Sequence, residues 1–149
     1  MGGISTLVVI AYAVGSGIWV STNSGWYQSL VRPPWQPPDV VFGLIWPYNF
    51  VVLGVAGWFV ASRGSDGERT IFIAALALSV AAALAWSYLF YVPHALVAAS
   101  VALVAAAALT APLVFVAFRS SVPVGVALIP YQAWVAIAAS LSIGYAQRN

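Results

Sequence analysis

From Arg69 to Arg119 the chain carries no formal charge. One membrane crossing takes about 20 residues to cover about 30 Å of hydrocarbon, so this stretch is too long for a single span. Pro93-His94 is the natural place to turn it. Two apolar spans therefore lie back to back. The rest of the chain follows the same pattern, since only 5% of its residues are charged and 63% are hydrophobic. A soluble domain carries roughly 25% charged residues, and no soluble surface can be made from so few. The expected class is an all-α, multi-pass integral membrane protein whose main partner is the lipid bilayer.

Five apolar segments are expected, at about 4–21, 40–61, 70–92, 95–118 and 122–145, forming a single transmembrane domain over 1–149. Helices are the default in lipid, because an open sheet leaves backbone groups unpaired there. Strict alternation of the membrane-barrel kind is missing. The N-terminus lacks the basic region of a secretory signal, so the first segment is expected to be a retained helix. Met1-Gly2 with Thr6 fits the loose myristoylation pattern, but the residues run straight into a span that needs no lipid anchor.

The charges exclude several functions. A net charge of +2, scattered over the chain, does not point to nucleic acid. No cysteine is present, which removes disulfides and thiolate metal sites. No Asp, Glu, Lys or Arg falls inside an expected span, whereas ion-coupled pumps need such groups in mid-membrane. His94 is the one histidine, and no nucleophile–base pair is evident, so no catalytic residues and no obligatory cofactor are expected.

Segments three and four are rich in alanine, and small residues let membrane helices approach closely. They serve either packing within one bundle or a homodimer seam along the third span. Pro47, Pro112, Pro123 and Pro130 interrupt spans and can kink them. The first loop, 23–39, is long and holds four prolines in the six residues from Pro33 to Pro38. Such a segment is expected to be extended and stiff, and able to lie across the mouth of a bundle.

Seven tryptophans are present. Trp19, Trp26 and Trp58 lie near segment ends, where an aromatic belt accounts for them. Trp46, Trp86 and Trp134 sit deeper. At about 1.5 Å rise per residue they lie roughly 9, 9 and 16 Å below the side that carries the first loop. Tyr88, Phe90, Tyr91 and Asn49 share that half of the membrane. Aromatic walls with a few polar groups suit flat apolar ligands. The competing reading is ordinary packing and lipid contact.

The stretch Trp26-Tyr27-Gln28-Ser29-Leu30-Val31-Arg32-Pro33-Pro34-Trp35-Gln36-Pro37-Pro38, running into Val41-Phe42-Gly43-Leu44-Ile45-Trp46, resembles the signature of the TspO/MBR family. This family holds bacterial tryptophan-rich sensory proteins and the mitochondrial translocator protein. Three further stretches agree in order: 54–58, Trp86-Ser87-Tyr88-Leu89-Phe90-Tyr91 with His94, and Pro130-Tyr131-Gln132-Ala133-Trp134-Val135.

The resemblance implies a five-helix bundle, usually dimeric, with a pocket capped by the first loop. It implies binding of porphyrin or haem-type tetrapyrroles, and in some members sterols and benzodiazepine- or isoquinoline-type ligands. Transport of porphyrin or sterol, and light-dependent porphyrin breakdown through Trp46 and Trp134, are the alternatives it brings. Candidate ligand-binding residues are Trp26, Tyr27, Trp35, Trp46, Asn49, Phe50, Trp86, Phe90, Trp134 and Ala138. Leu141, Tyr145 and Arg148 fit a loose sterol-motif spacing. Ala83, Ser142 and the pair Asn49-Phe50 stand where the family often has other residues, which rearranges the polar partners available to a ligand.

Overall fold

The computed structural model describes every residue except Thr22. Among the described residues six helices follow one another: α1 (Gly2–Val20), α2 (Ser24–Ser29), α3 (Asp39–Arg63), α4 (Asp66–Tyr91), α5 (Leu96–Ser120) and α6 (Val122–Arg148). All but α2 are long and apolar enough to cross a membrane, which gives five candidate spans. Among the described residues there is no strand. The chain is an all-α, multi-pass integral membrane protein.

Local chemistry places the ends. Ser65 and Glu68 form a capping box at the start of α4, each satisfying a backbone donor of the other. Glu68 also accepts a 2.7 Å bond from Arg119 at the end of α5, which ties two loops together on that side. His94 turns α4 into α5 with φ 56°, a left-handed conformation uncommon outside glycine. Pro47, Pro112 and Pro130 lie inside α3, α5 and α6. Pro123 differs from expectation: it occupies the first turn of α6, where a missing N–H costs nothing.

The first loop also departs from the extended segment expected of it. Ser24–Ser29 is helical. Beyond it the prolines do not simply extend the chain. Pro34 and Trp35 form a turn closed by the Gln36 amide on the Pro33 carbonyl at 3.1 Å. Proline's fixed φ suits the second position of such a turn.

Helix α4 packs along α5, and α5 along α6, while α1 lies against α3 and α4. The α1–α3 contact is tight at one end only. A Cβ on Gly57 would stand 2.5 Å from that of Ser5, so only glycine permits this approach. At the other end Gly17 and Gly43 have no foreign atom within 4 Å of a built Cβ. On the side that carries the first loop the two helices are parted by a cavity that both glycines line, which is the splay between them. Below the splay, Leu53, Ala56, Val60, Phe72, Leu76, Leu113 and Leu128 form a closed core.

Candidate functional site

The splay opens a cavity of about 580 Å³ in the half of the bundle under the first loop. Pockets for small ligands span roughly 300–1,000 Å³ and are mostly apolar. Tyr12 on α1 marks its floor, edge-on to Trp46 at 5.8 Å and to Phe50 at 5.4 Å, while Trp46 stacks on Phe50 at 5.6 Å. Helix α4 contributes Ala83, Trp86, Phe90 and Tyr91 to the wall. From α6 come Trp134, Val135, Ala138, Leu141, Ser142 and Tyr145, and from α5 Leu103. Ser24, Tyr27 and Gln28 form the roof.

The roof is fastened to α6. The Tyr145 hydroxyl donates its one proton to the Gln36 amide oxygen and lies 3.1 Å from the Tyr27 hydroxyl, to which the Gln36 amide donates at 3.3 Å. Asn149 accepts from the Val31 amide at 2.9 Å and donates to the Val31 carbonyl at 3.2 Å. On the α4 side, the Asn23 amide donates to the Tyr91 carbonyl at 2.6 Å.

Two tryptophans on the wall differ in their polar edges. Trp86 donates its indole N–H to Ser142 at 3.1 Å. Ser142 in turn shares a 3.0 Å bond with Ser100, which donates to the Leu96 carbonyl at 2.8 Å. Ser142 therefore orients Trp86. Trp134 meets Phe42 edge-on at 4.9 Å, and its buried indole N–H has no protein acceptor among the described residues. That nitrogen is itself enclosed, so the ring rather than its N–H is what Trp134 offers the cavity. Ala83 presents only a methyl group to the cavity.

Of the residues singled out in the sequence, Tyr27, Trp46, Phe50, Trp86, Phe90, Trp134 and Ala138 meet on this cavity. Trp26, Trp35 and Asn49 lie off it. Trp26 stacks flat on His94, with ring centres 3.7 Å apart. Trp35 lies outside α6, under the Arg148 guanidinium at 4.9 Å and with its N–H on Ser140 at 3.3 Å. Asn49 is fully buried, and neither atom of its amide has a protein partner. Leu141 and Tyr145 are buried on the cavity wall, while Arg148 covers Trp35, so the three do not share one lipid-facing patch. Arg32 is paired with Asp39 at 4.0 Å.

Sequence reasoning missed Tyr12, Ser16 and Gly17 of α1, and Asp39, Phe42 and Gly43 of α3. The α3 set had a usable signal. Asp39, Gly43, Trp46 and Phe50 recur at helical spacing, so the face that holds Trp46 also holds the other three. Nothing comparable marked α1.

A profile of the TspO/MBR family matches residues 5–148. Among curated relatives, the chain is 28% identical over 147 residues to the tryptophan-rich protein TspO of Chlorobaculum tepidum, covering 98% of this chain and 92% of that one. It is 29% identical over 126 residues to the translocator protein of Ovis aries, covering 83% and 75% of the two chains. Against the tryptophan-rich sensory protein of Cereibacter sphaeroides it is 26% identical over 117 residues, covering 78% and 72%.

Proposed function

The chain belongs to the TspO/MBR family, and we propose that it is a membrane receptor or sensor that binds porphyrin or haem-type tetrapyrroles under its first loop. The observation that carries this reading is the 580 Å³ cavity walled by Trp46, Phe50, Trp86, Phe90 and Trp134. Flat rings stack well on such walls, and aromatic pairs contribute about 0.5–1.5 kcal/mol beyond their buried area. Sterols and smaller flat aromatic compounds meet the same wall chemistry. No resident cofactor enters the proposal; the tetrapyrrole is the ligand.

Protoporphyrin should quench the intrinsic tryptophan fluorescence saturably in detergent. Replacing Trp46 and Trp134 together with Leu should weaken binding by about 1–3 kcal/mol, two lost aromatic contacts. Unchanged affinity in a folded double variant would place the ligand elsewhere.

A further inference from the structure

One charged side chain stands on the cavity wall among the described residues, and it is an acid. Asp39 begins α3 and lines the outer end of the cavity with Gln28 and Ser24. It heads the face that continues through Gly43 to Trp46 and Phe50, against which a flat ligand would lie. A helix start favours an acidic residue, which accounts for a carboxylate in the first turn but not for its place at the cavity mouth.

The cations nearby offset it weakly. Arg32 is not on the wall and reaches Asp39 only at 4.0 Å, with side chains 47% and 84% exposed. Exposed pairs of this kind interact little. Arg148 is occupied on the far side of the roof, over the Trp35 ring. The other polar residues of the wall, including Ser16, Tyr27 and Ser142, carry no formal charge.

We propose that Asp39 sets the charge selectivity of this cavity, admitting neutral and cationic flat aromatic ligands and penalising anionic ones. This rests on the cavity being the ligand site. A ligand carboxylate directed at the mouth meets Asp39 a few ångströms away. A ligand ammonium there is attracted. In a largely hydrated setting each such contact changes affinity by about three- to tenfold, and added salt shrinks the effect. For tetrapyrroles, a form with esterified carboxylates is then preferred over the free diacid.

The test uses pyrenemethylammonium, pyrenemethanol and pyrenecarboxylate, titrated at low salt in neutral detergent against the tryptophan fluorescence of the full chain and of Asp39→Asn. The variant should bind the ammonium about three- to tenfold more weakly and the carboxylate tighter by a similar factor. The alcohol should bind both proteins within about twofold, which also reports an intact cavity. Arg32→Gln should weaken the carboxylate and tighten the ammonium, each by less than Asp39→Asn moves them. All three probes shifting together, or a carboxylate affinity indifferent to Asp39, overturns the proposal. Failure of every probe to bind overturns it too, together with the cavity as the site. Protoporphyrin and its dimethyl ester form a separate arm. If neither binds while the pyrene probes still sort by charge, the tetrapyrrole reading falls and the role of Asp39 stands. If both bind, Asp39→Asn should narrow the gap between ester and diacid.

Discussion

Gly144 offers a single-atom test of whether the first loop retains the ligand. It lies on α6 directly beneath the turn at Pro34 and Trp35. A Cβ added there would stand 2.8 Å from Pro33 Cγ and 2.9 Å from Trp35 Cζ2. Both rings are stiff, so relief comes by lifting the loop. Overpacking of this kind costs about 1–3 kcal/mol. The helix itself gains, since Ala is better than Gly in a helix interior by about 1 kcal/mol. Gly144→Ala should therefore hold thermal stability or lower it by up to about 2 kcal/mol while loosening the roof. Exchange of the Val31 and Gln36 amides, held by Asn149 and the Pro33 carbonyl, should quicken. If the roof controls exit, stopped-flow dissociation of protoporphyrin should quicken by about 5- to 150-fold, the same 1–3 kcal/mol at tenfold per 1.4 kcal/mol. An unchanged off-rate with quickened amide exchange would refute the lid and leave the gap between Gly17 and Gly43 as the route. Unchanged exchange would mean that the loop absorbs the methyl group in place.

Two further outcomes are expected. Ala74, Ala77, Ala81 and Ala85 are exposed along one side of α4, and we propose that this side is the seam of a homodimer: light scattering in detergent should find the unaltered chain dimeric and Ala77→Leu or Ala81→Leu shifted toward monomer, whereas a monomeric unaltered chain, or dimers in both variants, would refute the seam. Ser142→Ala removes the acceptor of the Trp86 indole and should cost about 1–3 kcal/mol of stability, read as a lower midpoint of thermal unfolding, whereas Ser100→Ala should cost less because Ser142 still holds Trp86.

The number of spans was legible because charge is costly in hydrocarbon, and the gap between Arg69 and Arg119 admits one turn. The level of the aromatics along their helices was legible too, since it follows from helical rise alone. Depth carries no azimuth, however. Trp46 and Asn49 lie at similar depth, yet only Trp46 lines the cavity, while Asn49 is buried within the bundle away from it. Leu141 and Tyr145 are four residues apart and so share a face of α6, but only the packing of α4 and α5 shows that this face looks inward. Trp35 was a ligand-binding candidate by resemblance, and the turn after Pro33 instead sets it on the outer side of α6. Gly17 carried no signal of its own, because its place on the wall arises from a splay fixed at the opposite end by Gly57 and Ser5.

The closed core below Tyr12 makes the cavity a cul-de-sac. Its floor separates it from Leu53, Val60, Phe72 and Leu113, all fully or almost fully enclosed. A molecule that enters from the side of the first loop can return only to the half of the membrane it came from. Occupancy then follows the ligand's concentration in one leaflet and is blind to the other. A cavity of this shape is one-sided: a ligand in it would exchange with a single face of the membrane, and passage to the opposite face would require Tyr12, Trp46 and Phe50 to part.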